Sequence, residues 1–556
     1  MKQRLLINLT VLLVTSPVSP AEEGPAFGLA ARPVAIAFSD QGRSAGFTAS
    51  DLNRGLAGRW ADVVDPVEIP AAAAPQLGNA DFSLTTWLQV PATADQSAGD
   101  LLSCYDPQTH RGFHLTLKSN PGVTSNQPND RHLQFGIDDD RSSEWRDCGR
   151  PGNSLFSFSM AVHAGSLYAG TCEPGLRESG RVYRYAGDNR WIDCGAPDQS
   201  NAVTAMAVFQ DQLYVGTGKY RVAGSSLPES ENLTLGGRVF RYAGGSDWVD
   251  CGQLPGTEAV GGMVVHRDQL YCSSLYQPAG FFRYGGGTSW TSLPVPQLID
   301  QTTQQNGPRR VVPLTVYDGT IYAGSYDGGH VFRFDGDSWT NCGQLGDNTQ
   351  TYSFAQYDGK LFVGTWPSGR VYRFDAIHEW ADTGRLGEEL EVMGMCVHNG
   401  RLIAGTLPLA EVYSYEGDRG WQQMARLDHT PDVRYRRVWT MAEHAGQLFA
   451  STLPSGKIHA CSVGRQVSWD HSLSAGWHHI AAVRTVDRLI LWVDGRQVAE
   501  TTPFRAAEFQ LQNNRPLRLG GGVNGKSAGR MADLRIYRRA LSGSEVGALS
   551  STKPEE

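Results

Sequence analysis

The stretch Leu167–Thr171, with the sequence Leu-Tyr-Ala-Gly-Thr, decides the fold because similar stretches return six more times. The later copies begin at residues 213, 270, 321, 361, 402 and 448, so neighbouring copies lie 40 to 57 residues apart. Within each copy, apolar and polar residues alternate with the period of two that is typical of β-strands. Seven copies at this spacing predict a seven-bladed β-propeller.

Each copy belongs to a longer pattern that predicts four strands per blade. An apolar strand comes first, followed by a tight turn such as Asp318-Gly319 or Asn399-Gly400, and then by the repeated stretch. Asp-Gly and Asn-Gly favour hairpins because these residues tolerate positive φ. A third strand follows, and a fourth opens with tryptophan. The tryptophans at this position are Trp145, Trp191, Trp248, Trp290, Trp339, Trp380 and Trp421.

The first of these tryptophans stands before the first blade, and none follows the last blade. We therefore expect the strand around Trp145 to pair beside Gly456–Cys461, which closes the ring without an open sheet edge. This closure brings the two ends of the propeller together. Adjacent ends are what allow one domain to be inserted into a loop of another.

The host domain is readable on both sides of the repeats. Its motifs lie at Val67–Pro70, Phe82–Trp87, Leu133–Gly136, Gly476–Ala481, Leu489–Gly495 and Arg530–Ser542. Together they resemble the laminin-G-like, concanavalin A-like jelly roll of many secreted bacterial proteins. The resemblance implies a two-sheet sandwich, and alternating strands joined by turns such as Asp494-Gly495 favour the same architecture independently.

An all-β chain follows, in which an inserted seven-bladed propeller splits a jelly roll. The predicted parts are a signal peptide at 1–21, the first half of the jelly roll at 22–141, the propeller at 142–465, the second half at 466–550 and a tail at 551–556. The 64 glycines and the charged fraction of only 19% suit many short strands and turns.

The N-terminus has the pattern of an export signal. Lys2 and Arg4 precede the apolar run Leu5–Val14, and small residues lead to a cut after Ala21. A run of ten residues, eight of them apolar, is too short to span a bilayer, so we expect a secreted or periplasmic protein. The net charge of −8 becomes more negative when the two signal-peptide cations are removed. This acidic balance disfavours nucleic acid and anionic membranes as partners. The sequence leaves the oligomeric state open.

The nine cysteines include a repeated set. Cys148, Cys194, Cys251 and Cys342 hold one position in different blades, so symmetry keeps them apart and favours small buried core residues. Disulfides that involve other cysteines stay open at this point. Those other cysteines are Cys104, Cys172, Cys272, Cys396 and Cys461.

Two motifs imitate catalytic loops near the C-terminus. Gly520–Ser527 has the spacing of a phosphate-binding loop, and Gly525–Gly529 has that of a nucleophile elbow. Both motifs require a strand-to-helix turn in an α/β sheet. Because this segment lies between predicted sandwich strands, we interpret it as a glycine-rich surface loop.

Metal sites and cofactors find little support. His110, His114 and His132 could bind zinc if strands brought them together, but no standard ligand spacing is present. We interpret them as structural or surface residues, and His478-His479 as packing residues. Asp138–Asp140 could donate oxygens to calcium, but its place at the propeller junction favours a solvated linker. No cofactor is predicted, and calcium stays open.

Glycoside-hydrolase chemistry would need suitably placed carboxylates. Jelly-roll glucanases carry theirs as Glu-x-Asp-x-x-Glu, and secreted sialidases repeat the box Ser-x-Asp-x-Gly-x-Thr-Trp. Neither pattern is found in the sequence. A glycan-processing enzyme, sialidase-like or glycosidase-like, is therefore the second alternative only.

The propeller's long-loop face carries the predicted site. This face holds the connections from the second to the third strand and from the fourth strand to the next blade, while the hairpin turns lie on the opposite face. Aromatic planes beside charged donors suit sugar rings and their carboxylate or sulfate groups. The alternative is that these rings only pack the loops. The predicted ligand-binding residues are Arg309, Arg310, Tyr326, Tyr352, Trp366, Arg436, Arg437 and Trp439. The same face collects Phe156, Tyr220, Arg221, Tyr276, Asp327, Arg434 and Tyr435.

The sequence thus predicts an exported, non-catalytic recognition protein for a carbohydrate or glycoconjugate. The first alternative is a protein-protein interaction scaffold for a cell-surface or extracellular protein, since both folds bind proteins as readily as glycans. Both propeller ends connect at the junction of third and fourth strands. We therefore expect the jelly roll to attach to the hairpin-turn face and leave the long-loop face open.

Overall fold

The structure is a computed structural model. It describes residues 66–551 except 73, 93–98, 119–130, 300–305 and 528–529, together with residue 553 and two short strands at 34–35 and 61–62. The predicted signal peptide lies outside the described residues. Among the described residues, no helix has the length and apolar character needed to cross a membrane.

The strands before the propeller form the first half of the sandwich. They are β1 (Val34–Ala35), β2 (Ala61–Asp62), β3 (Val67–Ile69), β4 (Phe82–Val90), β5 (Asp100–Asp106), β6 (Arg111–Lys118) and β7 (His132–Ser142).

The propeller follows, opening with β8 (Arg146–Asp147). Blades one to three contain β9 (Phe156–His163), β10 (Ser166–Cys172), β11 (Val182–Tyr185) and β12 (Trp191–Asp193); β13 (Ala202–Phe209), β14 (Gln212–Gly218), β15 (Arg238–Gly244) and β16 (Asp247–Gln253); and β17 (Val260–His266), β18 (Gln269–Ser274), β19 (Phe281–Gly286) and β20 (Ser289–Leu293). A hairpin of β21 (Gln297–Ile299) and β22 (Asn306–Pro308) precedes blade four.

Blades four to six contain β23 (Leu314–Tyr317), β24 (Thr320–Gly324), β25 (His330–Phe334) and β26 (Trp339–Gln344); β27 (Gln350–Tyr357), β28 (Lys360–Trp366), β29 (Arg370–Ala376) and β30 (Glu379–Arg385); and β31 (Glu391–His398), β32 (Arg401–Leu407), β33 (Glu411–Tyr415) and β34 (Trp421–Arg426). Blade seven adds β35 (Arg437–His444), β36 (Gln447–Leu453) and β37 (Ile458–Cys461).

The chain then returns to the sandwich. The remaining elements are β38 (Val463–Trp469), β39 (Gly476–Arg484), β40 (Leu489–Val493), β41 (Arg496–Glu500), β42 (Leu517–Leu519), β43 (Gly521–Gly522), β44 (Gly525–Lys526), β45 (Arg530–Tyr537) and helix α1 (Gly543–Leu549). Short 3₁₀ helices lie at Val222–Ser225, Gly417–Arg419 and Ala506–Glu508.

The ring closes as predicted. Strand β8 pairs antiparallel with β37, with Arg146 opposite Ala460 and Asp147 opposite His459. Blade seven therefore takes its outer strand from the start of the propeller, and its three other strands from the end. The prediction of a shared closing blade is confirmed.

The repeated tryptophans and cysteines have a common structural role. The indole Nε1 of Trp191 donates to the carbonyl of Cys148, which directly follows the outer strand β8 of the preceding blade, at 2.8 Å. Trp248 bonds in the same way to Cys194 at 2.9 Å. The cysteine side chains at this position are buried, as predicted, and all nine cysteines of the chain are buried free thiols. Each such bond ties neighbouring blades together without a covalent link.

The sandwich is built from both halves of its sequence. An outer sheet has the strand order β1-β45-β4-β39-β40-β41, and a propeller-facing sheet has the order β3-β42-β5-β6-β7-β38. The propeller leaves from β7 and returns into β38, and these two strands pair with each other, Ile137 opposite Arg465. Aromatic rings such as Phe82 and Phe113, 5.4 Å apart, fill the core between the sheets. An all-β jelly roll interrupted by a propeller is the architecture of this chain.

The sandwich contacts the hairpin-turn face of the propeller, as expected from the direction of the chain. In blade six, the turn residue Asn399 is buried and donates from its amide to the carbonyls of Ile137 at 3.1 Å and Val463 at 2.7 Å. Its amide oxygen lies 2.8 Å from Nε2 of His114. The turn of blade six is thus hydrogen-bonded into the propeller-facing sheet.

Candidate functional site

An aromatic cluster fills the centre of the long-loop face. The rings of Phe156 and Trp439 lie 4.2 Å apart between centroids, and Tyr220 packs edge-on against Trp439 at 5.5 Å. The 3₁₀ helix Val222–Ser225 packs onto the cluster, with Val222 and Ser225 fully buried. The same cluster includes the half-buried rings of Tyr276, Tyr326 and Tyr352. Because these rings already pack against one another and against the loops, their role in this structure is to stabilise the loops.

A buried ion pair lies beside this cluster. Arg437 Nε and Glu391 Oε1 are 2.6 Å apart, and a second Arg437 nitrogen donates to Ser225 Oγ at 3.1 Å. The guanidinium also lies 4.6 Å from the ring of Trp439. Burial raises the pKa of Glu391, although Arg437 opposes that shift. Arg437 therefore neutralises an internal carboxylate and holds the loop that covers it.

The other predicted residues of this face are divided among separate contacts. Arg310 forms an ion pair with Asp327 at 2.6 Å and donates to the carbonyl of Leu275 at 3.2 Å. Trp366 and Tyr435 pack edge to face at 6.3 Å. Arg436 Nε donates to the carbonyl of Thr430 at 2.6 Å, and Arg309 is half-buried. The guanidinium of Arg434 lies 4.8 Å from the ring centroid of Tyr435, and that of Arg221 lies 4.2 Å from the ring centroid of Tyr276. The ring centroids of Tyr326 and Tyr352 are 4.8 Å apart. The ligand-binding role of these residues stays a prediction.

A cleft of 510 Å³ lies elsewhere, between the hairpin-turn face of blades five and six and the sandwich. We call it the interdomain cleft. Its propeller wall consists of Tyr357, Asp358, Lys360, Phe362, Arg373, Asp375, Tyr415, Gly417 and Asp418. Its sandwich wall consists of Ser103, Tyr105, Pro107, Gln108, Arg515, Pro516, Arg518, Gly522 and Val523.

The propeller wall combines one accessible ring with paired charges. Tyr415 is half-buried, whereas Tyr357 and Phe362 beside it are buried. The Tyr415 ring packs on Trp421 at 5.2 Å and on Phe362 at 5.5 Å, which fixes its orientation. Such a fixed, partly open ring is a platform against which the apolar face of a ligand can pack.

Charged side chains next to this ring are held by one carboxylate. Arg373 donates two hydrogen bonds to Asp375, from Nε at 3.1 Å and from Nη2 at 3.0 Å. Lys360 lies 3.4 Å from the same carboxylate. These interactions, with the Arg373 hydrogen bond first, lower the pKa of Asp375, which keeps it ionised at neutral pH. The result is a polar surface with both donors and acceptors.

The sandwich wall repeats this pairing of charges. Arg515 lies 2.9 Å from Asp106. Arg518 lies 2.9 Å from Glu68 and 3.4 Å from Asp358 on the propeller, so one of its contacts bridges the two domains. The cleft is therefore lined by guanidinium groups from both domains and by carboxylates of the propeller.

The glycine-rich segment that imitates a phosphate loop helps to form this cleft. It is the hairpin β43–β44 and most of it is buried, so the interpretation as a surface loop is wrong. Asp358 donates its backbone N–H to the carbonyl of Val523 at 2.9 Å, and Asn524 donates to Asp100 at 3.0 Å. Gly521 and Gly522 would place an added Cβ within 2.7 and 2.2 Å of neighbouring atoms. The neighbours are Pro66, Asp100 and Ser103, so glycine is used here for close packing within the sandwich.

The aspartates at the junction also depart from expectation. Asp138 belongs to β7 and is fully buried, and it accepts hydrogen bonds from Arg401 at 2.9 and 2.8 Å. Its interpretation as part of a solvated linker is therefore wrong, because the propeller covers this end of the strand. Asp139 pairs with Arg111 at 2.7 Å, and Asp140 with His110 at 2.9 Å. Each carboxylate already has a cationic or imidazole partner.

The three candidate zinc histidines are buried at the interface, each with its own neighbours. His114 lies between Thr116 at 2.9 Å and Asn399 at 2.8 Å, and burial lowers its pKa. His110 also approaches Glu416 at 3.2 Å. Burial lowers the pKa of His132 to about 4. Within the described ranges, no group of three or more histidine, cysteine or acidic side chains could hold a metal ion.

The histidine pair of β39 behaves differently at its two positions. His479 is buried and packs edge-on against Trp87 at 5.3 Å, as expected for a packing residue. His478 is half-buried and lies 2.8 Å from Asp494 in the following turn.

Residues 445–547 match the family described as "Concanavalin A-like lectin/glucanases superfamily". The matched range begins within blade seven and covers the second half of the sandwich. The chain thus contains a concanavalin A-like domain. No curated protein matches the sequence.

Several solved structures of β-propellers are similar to this chain. A streptogramin B lyase is 8% identical with a TM-score of 0.44, and the alignment covers 58% of this chain and 98% of that chain. For YCF48 bound to D1 peptide the identity is 13%, the TM-score 0.39 and the coverage 58% and 97%. For the WD40 β-propeller domain of Doa1 these values are 11%, 0.34, 58% and 97%. The strand pairing of this chain itself establishes the propeller fold.

Proposed function

We propose that this chain is an exported, non-catalytic recognition protein that binds a carbohydrate or glycoconjugate in the interdomain cleft. Its concanavalin A-like domain supports a binding or interaction role. Export is inferred from the N-terminal sequence pattern described above. A sugar ligand is inferred from the side chains that line the cleft.

The observation that carries the proposal is the half-buried Tyr415 ring beside the Arg373–Asp375 pair. Sugar rings present apolar C–H faces that pack on aromatic rings, and hydroxyl groups that donate to carboxylates and accept from guanidinium groups. The cleft offers both kinds of contact within one concavity of 510 Å³. That volume is in the range of small-molecule sites in proteins.

The long-loop face is the weaker candidate for a physical reason. Trp439 is buried among the other rings, and Arg437 is already paired with Glu391. A ligand that used these two residues would have to displace the 3₁₀ helix Val222–Ser225 and break that ion pair. Breaking a buried ion pair costs about 3 to 5 kcal/mol. The interdomain cleft requires no comparable rearrangement.

A protein-protein interaction scaffold remains the second candidate, and exposed leucines favour it. Leu176, Leu233 and Leu235 expose 57%, 81% and 57% of their surface on long loops of blades one and two. These loops are joined because Asn232 donates to the carbonyl of Glu178 at 2.9 Å. Exposed apolar side chains on adjoining loops are typical of protein-binding surfaces.

Glycan-array binding by the mature chain tests the first proposal. Tyr415→Ala should reduce binding, because the ring platform is removed. Tyr242→Ala is the matched control, since Tyr242 holds the equivalent place in blade two. The ring centroids of Tyr242 and Trp248 lie 4.9 Å apart, and their interplanar angle of 44° equals that between Tyr415 and Trp421. Loss of binding in both variants, or in neither, would contradict the assignment of the cleft. Release of reducing sugar from a bound glycan would instead indicate a glycan-processing enzyme.

A further inference from the structure

We infer that the ligand of the interdomain cleft is a neutral glycan rather than an acidic one. This inference rests on the proposed function and concerns the same site. It follows from how the charges of the cleft are paired. A cleft whose basic residues were unpaired would suit a sulfated or uronate-containing ligand, so the ion pairs of each cation decide the question.

Among the described residues, every cation that lines the cleft already faces a carboxylate. Arg373 and Lys360 share Asp375, at 3.0 and 3.4 Å. On the opposite wall, Arg515 pairs with Asp106 at 2.9 Å, and Arg518 contacts both Glu68 and Asp358. An anionic group near these cations would therefore also be close to their carboxylates.

The count of charges points in the same direction. Four cations, Lys360, Arg373, Arg515 and Arg518, line the cleft. Five carboxylates, Glu68, Asp106, Asp358, Asp375 and Asp418, either line it or pair with those cations. Counted over the residues that the structure describes, the site thus carries no excess positive charge with which to attract an anion, and the chain as a whole has a net charge of −8.

Neutral hydroxyl groups fit this arrangement better than anions. A hydroxyl can donate to a carboxylate oxygen and at the same time accept from a neighbouring guanidinium N–H. The pair Arg373–Asp375 presents such a donor and acceptor side by side, next to the Tyr415 ring. A neutral sugar can use both groups without breaking the ion pair, whereas a carboxylate or sulfate would compete with Asp375 for Arg373.

The test compares matched oligosaccharides by isothermal titration calorimetry on the full mature chain. Neutral probes are hexaoses of glucose, mannose, galactose and xylose, and acidic probes are hexamers of galacturonate, hyaluronan and chondroitin sulfate. We expect at least one neutral probe to bind, to lose about tenfold or more in affinity with Tyr415→Ala, and to keep it with Tyr242→Ala. Its affinity should change less than about twofold between roughly 0.05 and 0.5 M NaCl, because screening leaves uncharged contacts unaffected.

The failures of the two proposals are distinguishable. If an acidic probe binds in a Tyr415-dependent and salt-sensitive manner while the neutral probes do not, the neutral assignment is overturned and the cleft remains a glycan site. If no probe of either set binds, or if binding is the same in wild type and Tyr415→Ala, the proposed function at this cleft is overturned as well. Arg373→Gln tests the polar contacts apart from the ring contact. It should lower the affinity for the neutral probe and should not raise the affinity for any probe.

Discussion

Replacement of Arg401 by alanine should destabilise the junction of the two domains by about 3 to 5 kcal/mol, the cost of breaking a buried ion pair. Arg401 donates two hydrogen bonds to Asp138, and neither side chain is accessible to solvent to any useful extent. Without Arg401, the hydrogen bonds that described residues still donate to Asp138 come from the Tyr105 hydroxyl at 3.3 Å and the backbone N–H of Arg141 at 3.1 Å. The ionised carboxylate of Asp138 would then be buried without the guanidinium that donates to its Oδ2.

The effect should depend on pH with a definite sign. Burial raises the pKa of Asp138 in the folded protein, and Arg401 partly offsets this. Removal of Arg401 raises that pKa further, so the folded variant takes up a proton more readily than the unfolded chain. The ionised form is the penalised one, and stability therefore falls as pH rises through the folded pKa. The loss caused by Arg401→Ala should be larger at pH 8 than at pH 5.

Urea unfolding followed by tryptophan fluorescence measures this loss. Arg370→Ala is the control, because Arg370 and Asp382 form an exposed pair at 2.6 Å that should contribute less than about 1 kcal/mol. The double variant Arg401→Met with Asp138→Asn should recover more than half of the loss, since it leaves no buried charge. A loss below about 1 kcal/mol for Arg401→Ala, or one independent of pH, would refute the reasoning.

Three further predictions follow from other buried groups and from the ring closure. Arg437→Ala should lower the free energy of unfolding in urea by about 3 to 5 kcal/mol, because Glu391 loses its partner. The affinity for oligosaccharides, measured by calorimetry, should stay unchanged. A variant that keeps its stability but loses affinity would instead place the binding site on the long-loop face. Burial raises the pKa of Glu173 to about 7, so the protonated form that stabilises the fold is lost as pH rises. The free energy of unfolding of Glu173→Gln should therefore exceed that of the wild type by up to about 3 kcal/mol at pH 9, and the two should match at pH 5. A stability difference between Glu173→Gln and wild type that does not change with pH would contradict this prediction. Arg146→Pro should speed amide hydrogen exchange in β37, its pairing partner, and unchanged exchange there would contradict the shared closing blade.

The parts of the fold that repeat could be predicted from sequence. Each blade carries its own first hairpin turn, such as Asn399-Gly400 in blade six, and the first six blades each end in their own tryptophan strand, so local patterns specify most of the strands. The ring closure was predictable because Trp145 stands outside its blade, and β8 does pair with β37. The side to which the sandwich attaches followed from the strand junction at which the chain leaves the propeller.

The cleft could not be predicted in the same way. Its walls come from segments as distant as Ser103–Gln108 and Arg515–Val523, and no local pattern records that they meet. The burial of Asp138 and of β43–β44 has the same origin, since both are covered by turns of the propeller. On the long-loop face, sequence placed the rings correctly, but not the helix Val222–Ser225 that packs against them.

A crystal structure of the protein with a bound neutral oligosaccharide tests the central claim most directly. We predict density for a sugar ring packed on Tyr415, with hydroxyl groups within hydrogen-bond distance of Arg373 and Asp375. Density for the sugar on the long-loop face, at residues such as Trp366 or Arg436, with the interdomain cleft unoccupied, would contradict it.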